Sequence, residues 1–338
     1  MEDRYSRQQL FRPIGMNGQQ LLQQKHVLII GVGALGSASA EALVRAGIGR
    51  LTIVDRDYVE WSNLQRQQLY TEADAHEKLP KVIAAKARLQ AINSQVIIDA
   101  HILDASSPEL LLLLETVDVM IDATDNFDIR FIINDISTKY KIPWVYGSCV
   151  SSYGAVYTII PGETPCFHCL LDVIPTSTLT CDTAGIISPA VQIVAAYQVA
   201  EALKLVTNNK EAVNRKYKTF DVWQNQNMDI DVGKMRKMQC PCCGEQAIHP
   251  YLAYENQTKL DVLCGRDAVQ IRPPKAIQYN FSELVQQLQQ HGHVQSNAYL
   301  LSYEVPEYRF VLFQDGRVVI HGIRDEQQAK KIYYQLLG

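Results

Sequence analysis

The run Val27-Leu28-Ile29-Ile30, followed at once by Gly31-Val32-Gly33-Ala34-Leu35-Gly36 and an alanine-rich stretch to Ala46, leaves this chain few ways to fold. A short apolar run ahead of a G-x-G-x-x-G turn reads as a buried strand feeding a helix. The glycines permit a tight turn, a close backbone approach to phosphates and close packing of helix on strand. The free N–H groups and dipole of the helix start attract negative charge. Leu51 to Val54 make the next strand, and Asp55 at its end lies nineteen residues after Gly36, where a carboxylate accepts hydrogen bonds from ribose hydroxyls. The loop is therefore expected to hold the adenosine end of a nucleotide; a glycine cluster that serves packing alone is the competing reading.

The segment that follows is one a hydride-transfer enzyme does not need. It runs Asp55-Arg56-Asp57-Tyr58-Val59-Glu60-Trp61-Ser62-Asn63-Leu64-Gln65-Arg66-Gln67-Gln68 and reaches Pro80-Lys81 before the next helix. Asp57, Asn63, Arg66, Gln67 and Lys81 put polar groups after the second strand, with amide and cationic donors able to surround a polyphosphate and stabilise charge developing at phosphorus. Arg66 and Lys81 read equally well as solvated surface cations. A further strand, Val117 to Thr124, ends in Asp125-Asn126. In an open parallel sheet ligands bind outside the carboxyl ends of strands, so Asp125 is expected in the crevice of the glycine loop, where a carboxylate suits Mg²⁺ bound to phosphates. Asp122, two residues earlier, reads as structural.

A net charge of -4 offers no global attraction to nucleic acid or to an anionic membrane, and neither is expected as a partner. The start M-E-D-R-Y-S-R has no apolar signal core and no stretch is long enough to span a bilayer, which predicts a cytoplasmic protein. The eight cysteines are then better read as metal ligands or reactive thiols than as disulfides. Cys166-Phe167-His168-Cys169 and Cys240-Pro241-Cys242-Cys243 are two C-x-x-C pairs about seventy residues apart. Cys166, Cys169, Cys240 and Cys243 are the expected ligands of a closed, structural Zn²⁺, with His168 as a possible replacement for one of them. Unpaired buried thiols are the alternative.

Together the G-V-G-A-L-G loop, the S-N-L-Q-R-Q block, P-K at the next helix, A-T-D-N, the two C-x-x-C pairs and T-C-D-T-A-G resemble the MoeB/ThiF family over about residues 1 to 245. These are bacterial relatives of the ubiquitin-activating enzymes. The resemblance implies ATP-dependent adenylation of the C-terminal Gly-Gly carboxylate of a small ubiquitin-like sulfur carrier, of MoaD or ThiS type, with release of pyrophosphate. It implies Asp55 on ribose, Gly31, Gly33 and Gly36 amides on phosphate, Arg66 and Lys81 on the polyphosphate, and Asp125 acting through Mg²⁺. R-Y-S-R-Q resembles the segment that in this family lends an arginine to the partner subunit's ATP site; Arg7 matches it and requires a homodimer. Cys181 matches a cysteine that is a candidate for a covalent link to the carrier, and a small buried residue in a crossover loop is the other reading. A cysteine desulfurase or other sulfur donor is a further expected partner. Cys264 does not extend the likeness to a rhodanese-type sulfurtransferase, because the tail is short for one and C-G-R-D-A-V departs from its cysteine loop. An NAD-dependent oxidoreductase or a noncatalytic nucleotide-binding scaffold would share the glycine loop and Asp55.

The expected architecture is an α/β fold with a Rossmann-like, doubly wound, mostly parallel sheet, extended by antiparallel strands around Tyr153 to Ile160 and Thr219 to Trp223. Residues 1–249 form the ATP-binding adenylyltransferase domain with its zinc site. Residues 250–338 form a small α+β module of unknown role, in which Gln314-Asp315-Gly316 signals a hairpin and Asp325 to Leu337 a closing amphipathic helix. The apolar helix from about Pro189 to Val206 serves as either interface or core.

Overall fold

The computed structural model describes residues 4–105, 107–125, 127–170, 184–252, 259–263, 268–272 and 279–337. The chain divides into two compact units, Met1–Tyr254 and Glu255–Gly338. In the first, eight described strands form one sheet in the order β3-β2-β1-β4-β5-β6-β7-β8. They are β1 His26–Ile30, β2 Arg50–Asp55, β3 Ile97–Ile102, β4 Val119–Asp122, β5 Trp144–Val150, β6 Tyr153–Ile159, β7 Tyr217–Asp221 and β8 Gln226–Ile230. Strands β3 to β5 are parallel, and β5 to β8 pair antiparallel.

The alternation of side chains along each strand builds two cores, one on each face of this sheet. Val27 and Ile29 of β1, Leu51 and Ile53 of β2, and Val119 and Ile121 of β4 pack with the helices Ala34–Ala46, Lys81–Ile92 and Ser188–Val206. Leu28 and Ile30, Val54, Met120 and the aromatic pair Trp144 and Tyr146 face the other way, against Ile132, Ile133 and Ile136 of the helix Phe127–Tyr140. The sheet is thus doubly wound, and the helix Ser188–Val206 resolves as core packed against β4, β5, β6 and Ala34–Ala46. The strand order reverses between β1 and β4. Gly31 donates to the Val54 carbonyl at 2.8 Å and Ala123 to the Ile30 carbonyl at 2.9 Å, so the loops after β1 and β4 leave the sheet side by side at this switch point.

Two predicted strands stop short of their expected ends; β4 is shortened, and β7 starts earlier, at Tyr217 rather than Thr219. β4 covers only Val119–Asp122, because the Val117 N–H turns back to the Leu114 carbonyl and Thr124 folds onto the Asp122 side chain. β7 ends at Asp221, whose carboxylate accepts the N–H groups of Trp223 and Gln224 and starts the turn into β8, a strand the sequence pattern did not signal. Every residue of β8 is at least partly exposed, which removes the apolar alternation that would have announced it.

In the second unit six described strands, β9 Lys259–Leu263, β10 Ala268–Arg272, β11 His293–Ser296, β12 Leu300–Val305, β13 Tyr308–Phe313 and β14 Val318–His321, form an antiparallel sheet in the order β11-β12-β13-β14-β10-β9. Alternate residues Val269, Ile271, Leu301, Phe310, Leu312 and Ile320 bury one face with Leu288 of the helix Phe281–Leu288 and Ile332 of the helix Glu326–Leu337. The β13–β14 turn carries Gly316 at φ +85°, as the Gln-Asp-Gly signal required.

Candidate active site

Two glycines of the loop are required by close backbone approach, and the third is not. Gly31 has φ +90°, and a Cβ there would lie 2.6 Å from the Ala123 carbonyl oxygen; at Gly36 it would lie 2.0 Å from the Gly31 oxygen. Both are excluded by backbone. At Gly33 a Cβ would meet only the Gln67 side chain, at 3.7 Å, so the space there is left open toward the crevice. Gly33 is also the N-cap of the helix Ala34–Ala46, which has no side-chain cap. Its first-turn N–H groups and positive dipole end therefore face the crevice.

Asp55, at the carboxyl end of β2, accepts the Val32 N–H at 2.6 Å and the Asp57 N–H at 2.7 Å. Tyr70 closes the other side of the loop by donating to the Val32 carbonyl at 2.5 Å. Burial pushes the Asp55 carboxyl above the usual carboxylate range, and the nearby Lys81 cation works against that rise. Lys81 follows Pro80 as the first residue of its helix and is itself buried. Its Nζ lies 3.1 Å from Asp57 Oδ2, and its N–H donates to the Asp57 carbonyl at 2.9 Å. A buried lysine and two acids thus form one compact charged group below the glycine loop, so Lys81 is no solvated surface cation.

The S-N-L-Q-R-Q block begins as a single helical turn, Trp61–Asn63, in which Asn63 is buried and its side-chain oxygen accepts the Glu60 N–H at 3.0 Å. Arg66 is half-buried and donates from Nη1 to the Ser62 carbonyl at 2.8 Å. Gln67 is buried, and its Oε1 finds no hydrogen-bond partner among the described residues. Asp125 is exposed at the end of the β4 turn, directly after Ala123 and Thr124, whose backbone lies against Gly31. Asn126 and Cys181 lie outside the described residues, as does Cys264.

Beneath Asp125, Asp122 is structural as read from the sequence, and its two partners, Arg130 and Gln198, escaped that reading. Asp122 is fully buried, and Arg130, on the helix Phe127–Tyr140, donates from Nε to its Oδ2 at 3.0 Å. Gln198, from the helix Ser188–Val206, donates to the Asp122 carbonyl at 2.6 Å. Arg130 shares the buried side of its helix with Asn134 and Ser137, and Gln198 lies one turn before the buried Glu201, so neither stood out in the sequence as a lone polar residue on an apolar face.

Arg7 is not brought to this crevice. Its neighbours Tyr5 and Gln8 are held at the far end of the helix Ala34–Ala46, by Asn93 Nδ2 donating to the Tyr5 hydroxyl at 2.9 Å and by Gln8 donating to the Ala46 carbonyl at 2.9 Å. That helix has 13 residues, which puts the glycine loop about 20 Å away, beyond an arginine's reach. Arg7 itself is exposed.

The four cysteines of the two C-x-x-C pairs do meet. Their Sγ atoms all lie within 4.8 Å of one another, at 3.8 Å for Cys166–Cys169 and 3.6 Å for both Cys166–Cys240 and Cys169–Cys243. Edges of about 3.8 Å are what a tetrahedron of thiolates at Zn–S distances of ~2.3 Å has, so the donor set fits zinc. S–H donation from Cys166 and Cys243, together with the Lys237 N–H, holds the Cys169 thiol below its ordinary range. His168 and the buried Cys242 form an overlapping group with Cys240, with His168 Nδ1 3.8 Å from Cys240 Sγ. The knuckle is seated on the helix Phe127–Tyr140, where Asn134 accepts the Phe167 N–H at 2.8 Å.

A doubly wound sheet with an uncapped helix start, charged residues and an exposed aspartate gathered at its switch point defines an α/β protein with a nucleotide-type crevice. The model of the ThiF family matches residues 5–242, and the chain belongs to that family. It is 49% identical over 340 residues to the sulfur carrier protein ThiS adenylyltransferase of Bacillus subtilis (strain 168), covering all of both chains. It is 34% identical over 244 residues to the molybdopterin-synthase adenylyltransferase of Escherichia coli (strain K12), which covers 72% of this chain and 96% of that one. Among solved structures it is similar in fold to E. coli MccB in its crystal structure with MccA-N7isoASN, with a TM-score of 0.63 and 23% identity over 72% of this chain and 76% of that one. No helix among the described residues is long and apolar enough to cross a membrane.

Proposed function

We propose that this chain is an adenylyltransferase that uses ATP to activate the C-terminal Gly-Gly carboxylate of a ubiquitin-like sulfur carrier, preparing it for thiocarboxylation. The carrier is of ThiS type, in thiamine biosynthesis, rather than of MoaD type, in molybdenum cofactor biosynthesis. The observation that carries the choice is the 49% identity over the full length of both chains to a ThiS adenylyltransferase, against 34% over part of this chain for the molybdopterin-synthase relative. Neither an NAD-dependent oxidoreductase nor a noncatalytic scaffold is favoured by such relatives.

In the reaction a carboxylate oxygen of the carrier attacks the α-phosphorus of ATP, a new P–O bond forms, and the bond to the β-phosphate breaks to release pyrophosphate. No covalent enzyme group is needed. The chain's task is positioning and charge stabilisation. Asp55 accepts from the ribose and holds the loop through Val32, while the open space at Gly33 lets phosphate approach the helix N–H groups. Lys81 and Arg66 face the polyphosphate, and Asn63 and Gln67 line its path. Asp125, an exposed hard oxygen donor beside the loop, fits Mg²⁺, which takes one or two carboxylates with substrate phosphates and keeps several waters. When bound, the ion neutralises charge on the leaving pyrophosphate. Cys166, Cys169, Cys240 and Cys243 hold a structural Zn²⁺ that supplies no chemistry to the transfer.

Arg7 acts in trans within a homodimer, since it lies beyond reach of its own crevice. Cys181 is the candidate thiol for a covalent carrier link, and a cysteine desulfurase is the candidate sulfur donor; the setting is cytoplasmic. Residues 1–249 carry the adenylation and 250–338 an appended module. ATP–pyrophosphate exchange with purified carriers ending in Gly-Gly tests the reading: exchange that depends on a ThiS-type carrier is expected. Carrier-independent exchange, or nicotinamide turnover without exchange, overturns it.

A further inference from the structure

The turn that presents Asp125 is gripped from below by one buried ion pair. Asp122 Oδ1 accepts both the Thr124 N–H at 2.9 Å and the Thr124 hydroxyl at 2.7 Å, and Asp122 Oδ2 accepts Arg130 Nε at 3.0 Å. Arg130 Nη2 then donates to the Thr124 carbonyl at 2.7 Å and reaches the Gly147 carbonyl at 3.5 Å. Its guanidinium sits 5.1 Å from the centre of the Tyr146 ring. Every polar group of Thr124, the residue before Asp125, is therefore held by this pair. A buried ion pair contributes little net stability compared with apolar packing. What the planar fork adds is direction, because Nε and Nη2 bind two different acceptors at a fixed angle.

We propose that Arg130 is a positioning residue for metal binding by Asp125: with Asp122 it clasps Thr124, so that the Asp125 carboxylate is aimed before the nucleotide and its divalent cation arrive. This rests on the proposed role of Asp125. The cation itself touches neither partner of the clasp, which acts as an outer shell. Loss of such partners characteristically weakens metal binding about 10- to 100-fold.

The test uses the full chain and reads Mn²⁺ binding by electron paramagnetic resonance in the presence of a nonhydrolysable ATP analogue, beside analogue binding in EDTA. Arg130→Lys keeps the charge and loses the fork. Its Mn²⁺ affinity is expected to fall about 10- to 100-fold, with analogue binding in EDTA unchanged. In an Asp125→Asn background, Arg130→Lys should cost no further Mn²⁺ affinity, because the group it aims is already gone. Wild-type Mn²⁺ affinity in Arg130→Lys, an additive loss in the double variant, or equal loss of metal-free analogue binding would each overturn the clasp. If Arg130→Lys does not fold, Thr124→Ala removes one donor of the same clasp and should weaken Mn²⁺ in the same direction; unchanged affinity there also overturns it. A wild-type chain that binds Mn²⁺ with the analogue yet shows no exchange with any carrier counts against the proposed reaction and not against the clasp.

Discussion

Asp55 Oδ2 accepts the Val32 N–H at 2.6 Å, across 23 residues of sequence, and so ties the end of β2 to the middle of the glycine loop. The acid proposed to hold the ribose thus also latches the glycine loop. Asp55→Asn, which replaces one acceptor oxygen with a donor, should weaken ATP binding about 10- to 100-fold, the loss of a hydrogen bond to a charged group. Calorimetric titration with ATP measures it; wild-type affinity would remove Asp55 from the site.

The same carboxyl predicts a pH effect whose sign follows from its raised folded-state pKa. The folded chain holds this proton more tightly than the unfolded chain, so its contribution to stability is fully present below the unfolded value and is lost as pH rises through the folded one. In Asp55→Asn that part of the slope disappears. Urea midpoints of the two proteins across the mildly acidic range should differ in slope on this account, with the wild type falling faster as pH rises; parallel curves would refute the assignment.

Gly33 and Gly36 should separate binding from folding. In Gly36→Ala the new methyl meets the Gly31 carbonyl oxygen at 2.0 Å, which neither backbone can avoid, and the variant should lose on the order of 3 kcal/mol of stability or fail to fold. In Gly33→Ala the methyl meets only Gln67, at 3.7 Å, and fills space open to the crevice. That variant should melt like the wild type while losing nucleotide binding. A thermal melt with and without ATP distinguishes the two, and ATP-induced stabilisation of Gly33→Ala would be the contrary result.

Arg66 and Lys81 were equivalent cations in the sequence and differ in the fold. Arg66→Ala removes a half-buried side chain tied to the Ser62 carbonyl, so carrier-dependent exchange should fall by on the order of 10² to 10³ with the melting temperature nearly unchanged. Lys81→Ala leaves Asp55 and Asp57 without their buried cation and should lower both exchange and stability. Equal effects of the two substitutions on stability would contradict this arrangement. For the trans arginine, mixing inactive Arg7→Ala and Asp125→Ala chains should restore about a quarter of wild-type exchange, because half of the dimers are mixed and one of their two sites is intact.

Cys240→Ser should abolish the bound zinc, which is expected at about one equivalent per chain, and lower the melting temperature by on the order of 10 °C. Cys242→Ser should keep the metal, because the four sulfurs of Cys166, Cys169, Cys240 and Cys243 already close the tetrahedron. Elemental analysis of each purified variant decides; zinc lost in Cys242→Ser would shift the donor set toward the overlapping group with His168.

Local pattern alone was enough to place the glycine loop, the end of β2 and the end of β4 at one crevice. Strand periodicity marks where each strand stops, and in a doubly wound sheet the stops of β1, β2 and β4 share an edge. The C-x-x-C spacing was likewise sufficient to select four cysteines out of eight, since two residues between thiols suit one tetrahedral ion. Tertiary structure alone decided which charges are buried and what holds them. Lys81 against Asp57, Asp55 against Val32 and Arg130 beneath Thr124 are contacts between elements, and a residue's solvation depends on neighbours far away in sequence. The same holds for Arg7, for which the family resemblance implied an anion contact, while the packing of Tyr5 and Gln8 at the far end of the helix Ala34–Ala46 sets the side of the molecule on which it lies.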